Sequence, residues 1–300
     1  MKKLIAVTLV VTGLVAVPTL AFGWGAVGHR LTGEAAALRL PMEMPTFFRG
    51  AWRELGYLNP EPDRWRDRKE RDIDPALDGG TAPEHFIDME LIPSAALNAA
   101  LHAPDRFAYA DTLHAAGVES WKMGLLPFAI LERAQELRED FRLWRVANDT
   151  TRPWIEARII DDAGILGHYV ADGSNPAHTT VQFNGWTGPN PNGYATDHRF
   201  HSRFESIYVE THITLPDVLA RVDSTPRVFA DLRSAIDDYL RASNAEVEPL
   251  YRLDKAHPFD ANTTAPEDKA FAADRLAAGA RMLRDIWWTA WVTSGGAAER

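Results

Sequence analysis

The chain has 300 residues, a formal net charge of −10, ten tryptophans and no cysteine. It therefore has no disulfide framework and no thiolate metal site, so any metal ligands must be His, Asp, Glu or backbone groups. The acidic balance argues against broad electrostatic capture of nucleic acid, though not against a local cationic site.

The first 23 residues read as a secretory signal. Lys2 and Lys3 form a positive start, Leu4 to Val17 is an almost unbroken apolar run, and Ala21 and Gly23 sit at −3 and −1 of a cleavage site before Trp24. The run is too short to span a bilayer and Pro18 interrupts it. No later stretch is apolar enough to span, so the expectation is a secreted or periplasmic chain with no transmembrane segment after cleavage. Losing Lys2 and Lys3 takes the net charge from −10 to −12. Residues 24–300 then form one domain, large enough for a real core.

Elements follow in chain order. Residues 29–40 are an Ala/Leu-rich helix, and 57–83, rich in Pro, Asp, Gly and Arg, reads as a long ordered loop. Helical periods run through 105–147. Residues 154–171 are the clearest core helix, with Trp154, Ala157, Ile160, Ala163 and Leu166 on one apolar face and Pro153 in the first turn. Residues 172–194 break into a Gly/Asn/Pro loop, in which "TTVQF" is the best strand signal. Residues 196–210, 226–245 and 266–292 are helical again. The expected class is all-α: one mostly helical domain with long functional loops.

Three segments carry chemistry. In "GHYVADGSNPAH", His168 and Asp172 are four apart and share a helix face, and His178 follows across a Pro-containing turn. In "HRFHSRFES", His201 and Glu205 repeat that spacing, and "PEHFIDME" places His85 beside Phe86 and Ile87. A His and a carboxylate one helical turn apart fix two ligand directions before an ion arrives, and that N/O set suits zinc. A single such pair is most often an ordinary polar pair. Three segments together point to a metal site.

These residues resemble the superfamily of bacterial zinc-dependent phospholipases C and single-strand-specific S-one/P-one nucleases. The shared signature is His-x3-Asp-x5-His followed by His-x3-Glu or His-x3-Asp. Here it reads His168-x3-Asp172-x5-His178, then His201-x3-Glu205, with Trp24 as the first residue after the expected cut. The similarity runs from Trp24 to about Val209, anchored at motifs, with the C-terminal third matched only as helices. The resemblance implies a helical fold holding three zinc ions per chain. One would be held by Asp63, His85, His168 and Asp172, and a second by His178, His201 and Glu205. The third would be held by the Trp24 backbone, His29 and the shared Asp172. It also implies phosphodiester hydrolysis in which Asp63 orients or deprotonates the attacking water. Asp63 lies further from His85 than the family's pattern has it, but Arg66 follows it three residues later as in the nucleases. Asp67, Asp72 and Asp74 remain alternatives.

Substrate signals are mixed. Trp24-x4-His29 resembles the nucleases, whereas Glu205 and "HTTVQFNG" resemble the phospholipases. Phe183, Trp186 and Tyr194 are candidate substrate contacts, as base-stacking platforms or as walls for acyl chains or glycerol. The leading expectation is a single-strand nuclease acting on RNA or DNA. The alternatives are a phospholipase C acting on phospholipid head groups and, last, a non-catalytic zinc-binding protein. No protein nucleophile is required, which fits a chain without a Gly-x-Ser-x-Gly elbow, and no stable protein partner is implied.

Overall fold

A computed structural model describes residues 24–295. The expected signal segment and its cleavage site after Gly23 lie outside the described residues. Among those residues the protein is all-helical, without strands. None of these helices is long and apolar enough to cross a membrane.

Seven helices carry the architecture: α1 (Gly25–Leu38), α2 (Trp52–Leu58), α3 (Leu126–Val146), α4 (Arg152–Ser174), α5 (Leu232–Asn244), α6 (Val247–Ala256) and α7 (Pro266–Ser294). α3 and α4 form an antiparallel pair, and α7 lies against α1, α3 and α4. α7 forms because Pro266 opens it at a first-turn position and Ala, Leu, Met, Lys and Arg, all good helix formers, recur through the turns that follow. Its Leu276, Ala280, Leu283, Ile286 and Trp287 are buried, making it the spine of the core.

The core helix of the sequence reading is present but begins earlier and buries a different face at its start. Trp154 is 68% exposed and Ala157 is exposed, while Ile159, Ala163 and Leu166 are buried. In the first two turns of α4 it is Ile155 that packs against the core and Glu156 that accepts from the Trp144 indole, so the face carrying Trp154 and Ala157 turns to solvent. Beyond Ala163 every residue of α4 is buried, including His168 and Asp172.

Four other expectations are corrected. The segment 57–83 folds into the end of α2 and short helices at Glu61–Arg64, Arg68–Ile73 and Pro75–Thr81. Its prolines start turns rather than prevent them, and Asp67 caps one by accepting from the Lys69 and Glu70 amides. "TTVQF" forms turns, because its backbone has no strand neighbour. α4 continues to Ser174, past the expected break at 171. Residues 226–231 precede α5 instead of belonging to it.

Candidate metal centre

α4 fixes the centre. His168 and Asp172 lie one turn apart on it, and neither is accessible to solvent. The Asp172 carboxylate meets four imidazoles from four segments. Its Oδ2 lies 3.1 Å from His85 Nδ1 and 3.3 Å from His168 Nε2. Its Oδ1 lies 3.4 Å from His29 Nε2 and 3.6 Å from His178 Nδ1. His29 comes from α1 and stacks flat on His168 at 4.0 Å between centroids. His85 ends a 3₁₀ turn at Ala82–His85, and His168 Nε2 is 2.9 Å from His85 Nδ1.

Asp63, on the short helix after α2, brings Oδ1 within 3.8 Å of His168 Nε2. Among its rivals, Asp67 and Asp74 are spent on nearby backbone amides and Asp72 is exposed. Tertiary placement therefore favours Asp63.

A further set lies toward the surface. His178 sits on a 3₁₀ turn, Pro176–His178, and Glu205 on a π-helical turn, Arg203–Tyr208. His178 Nε2 is 3.1 Å from His201 Nε2 and 3.6 Å from Glu205 Oε2, and His201 also meets Glu205 Oε2 directly. Three groups thus have ligand atoms close enough to share an ion: His29/His168/Asp172, Asp63/His85/His168 and His178/His201/Glu205. Every expected side-chain ligand belongs to one of them. The Trp24 amide nitrogen adjoins the first group, 3.1 Å from His29 Nε2. Its indole is buried and donates to Ala171 O and Ser174 Oγ, each at 2.8 Å, which pins it to α4.

The arrangement suits cations. Asp63 Oδ1, Asp172 Oδ1, Glu205 Oε1 and His85 Nε2 are buried without a hydrogen-bond partner. Buried polar atoms left unpaired are expensive, and a bound ion resolves the mismatch. Burial lowers His201 to about 4 and pushes Glu205 well above the usual carboxylate range. His201 is therefore neutral near pH 7, with a lone pair to offer. Burial likewise lowers His29 and His85. At Asp172 burial opposes the charge, but His168 and His178 outweigh it and hold the carboxyl well below its ordinary value.

Outer contacts aim the rings. His168 Nδ1 donates to the Asn59 carbonyl at 3.0 Å, and His178 Nδ1 to the His85 carbonyl at 2.6 Å. Each leaves Nε2 directed into the centre. Asn175 Nδ2 donates to Glu205 Oε2 at 3.3 Å. Sequence reasoning missed Asn59 and Asn175. Asn59 lies outside the ligand motifs and Asn175 fills a variable position within one, and their only signal is an Asn before Pro in "LNPEPD" and "GSNPAH".

A cavity of about 190 Å³ opens beside His85, His178 and His201, walled by Phe86, Phe183, Asp88 and Arg66. Phe183 thus lies where a substrate contact was expected. Trp186 and Tyr194 pack instead on Tyr251, with centroids 5.3 and 5.5 Å away, and the Tyr194 hydroxyl donates to Glu248. The sequence reading named neither Phe86 nor Asp88 as a contact, although both stand in the His85 segment. Burial, and then Glu90, raise Asp88 to about 7.

No protein-family model matches the chain, and no curated protein is significantly similar to it.

Proposed function

We propose that this protein is an exported zinc-dependent phosphodiesterase holding three zinc ions per chain, and that its substrate is single-stranded nucleic acid. The observation that carries the reading is Asp172, a buried carboxylate touching imidazoles that belong to three adjoining ligand groups. A Cys-free N/O ligand set at several adjacent positions suits zinc and phosphate-ester chemistry. The resemblance to the phospholipase C and S-one/P-one nuclease superfamily supports the same class.

The Asp172 hub would serve the two inner ions, with Asp63, His85 and His168 at one and His29 and the Trp24 backbone at the other. His178, His201 and Glu205 would hold the outer one. Bound zinc supplies positive charge for phosphate oxygens and lowers the pKa of water. The remaining roles fall to this chain's own side chains. Asp63 would orient the attacking water or accept its proton. Arg66 lines the cavity wall, and the flat geometry of a guanidinium would suit phosphate oxygens there. Phe86 and Phe183 give a base two apolar faces, and Asp88 offers a carboxyl to its polar edge. A pocket with two aromatic walls and one acid is better matched to a base than to an acyl chain.

The second reading, a phospholipase C, is favoured by Glu205 at the outer set. Denatured DNA, RNA and phosphatidylcholine, given in parallel to zinc-loaded protein, separate the two. Acid-soluble nucleotide is the expected product, and phosphocholine without nucleotide would overturn the substrate assignment. Cleavage after Gly23 would free the Trp24 amine beside His29 Nε2. Protein that keeps extra residues before Trp24 is therefore expected to hold one zinc fewer.

A further inference from the structure

Asn59 is buried at the C-terminal cap of α2, where helix carbonyls lack intrahelical donors. It makes two contacts with two different histidines. Its backbone oxygen accepts from His168 Nδ1 at 3.0 Å, and its side-chain Oδ1 lies 3.1 Å from His29 Nδ1. The two rings are those stacked at 4.0 Å, one from α1 and one from α4.

The proton on His29 can be located from its other nitrogen. The Trp24 N–H donates to His29 Nε2 at 3.1 Å, so Nε2 is an acceptor and Nδ1 carries the hydrogen. Asn59 must then present oxygen, not NH2, to His29. The amide nitrogen points the other way, into a slot between α1 and α4, where it is buried without a hydrogen-bond partner. Two glycines leave room for it: a Cβ on Gly33 would stand 3.1 Å from Asn59 Nδ2, and one on Gly167 only 2.2 Å. Residues from three helices thus combine to seat one side chain.

We infer that Asn59 is the shared positioning residue of the inner centre, fixing His29 and His168 as Nδ1–H tautomers with Nε2 directed at the ions. The inference rests on the metal reading for its consequence, but the tautomer itself does not require metal. Because the His168 contact uses backbone, substituting Asn59 removes only the His29 contact. The residue therefore acts selectively on one of the three ligand groups.

The test compares wild type with Asn59→Leu, which keeps the branched outline and loses the acceptor, and Asn59→Asp, which keeps the acceptor. Imidazole nitrogen spectra of the zinc-free proteins report the His29 tautomer. The expected result is Nδ1–H in wild type and Asn59→Asp, and a mixture in Asn59→Leu. Zinc titration should then show one of three sites weakened by about 10–100-fold in Asn59→Leu, the other two unchanged and Asn59→Asp restored. Should Asn59→Leu fail to fold, Asn59→Ser, too short to reach His29, serves in its place. An unchanged His29 tautomer in the leucine or serine variant overturns the inference, as does equal weakening at all three sites. Wild type that binds no zinc overturns the metal reading alone, and the tautomer comparison still judges Asn59.

Discussion

The inner and outer ligand groups use different backbones. The inner groups rest largely on regular helix: His29 on α1 and His168 and Asp172 on α4, all inaccessible to solvent, with both histidines braced by Asn59. The outer group rests on a 3₁₀ turn, a three-residue helix and a π turn, and His201 keeps 13% of its side chain exposed beside the cavity. Ligand atoms that serve more than one group need rigid supports, because one displaced carboxylate disturbs several contacts. The group nearest the cavity tolerates irregular backbone, and π turns recur where side chains must be re-aimed for function.

The largest break in that comparison comes at the hub. Asp172→Ala is expected to empty both inner groups and to remove several kcal/mol of charge stabilisation, lowering activity by about 10³-fold or more. Zinc content measured beside turnover checks it, and full activity in zinc-free protein would refute the mechanism. Glu205→Gln should be more local. It leaves two zincs bound and lowers activity on the order of 10²-fold, with folding of the zinc-free protein little changed, because burial already favours the uncharged side chain.

Metal and pH sharpen the contrast. Zinc would bind only the folded chain, so chelation should lower stability by about 3–4 kcal/mol for each ion lost relative to protein in excess zinc, read by denaturant unfolding. In the zinc-free protein, His201 stays neutral from its ordinary 6.5 down to about 4 while the unfolded chain takes up a proton. The unfolded state binds more protons there, so stability falls as pH is lowered through that window. His29 and His85 add slope of the same sign, whereas Glu205, held protonated by its burial, opposes it above its ordinary 4.5, and His168, raised by Asp172 and Asp63 against its burial, acts only above 6.5. Replacing His201 with Gln should flatten the profile.

The smallest effects separate cavity wall from packing. Phe183→Ala should raise KM for single-stranded substrate by about tenfold with kcat nearly unchanged, since a stacked base is worth roughly 1–3 kcal/mol. Trp186→Ala should leave KM alone and lower stability by about 1–3 kcal/mol, because its ring packs on Tyr194 and Tyr251. A KM effect at Trp186 equal to that at Phe183 would return both to the cavity.

Much of this site was legible before any coordinates. Helical class follows from the period of the apolar residues, and the four-residue spacing of His168 with Asp172, and of His201 with Glu205, places each pair on one helical face. Local geometry determines those features, so the sequence by itself determined them. Tertiary structure alone decided the rest. Asp63 is favoured over Asp67 and Asp74 because it reaches His168 across the fold, while the other two turn back to cap their own backbone. Phe183 stands at the cavity while Trp186 and Tyr194 pack on Tyr251, although all three belong to one loop. Asn59 carries no motif, and its role exists only where α1, α2 and α4 meet closely enough for one amide to fit between two glycines. Contacts between distant segments depend on how helices pack, which local spacing does not encode.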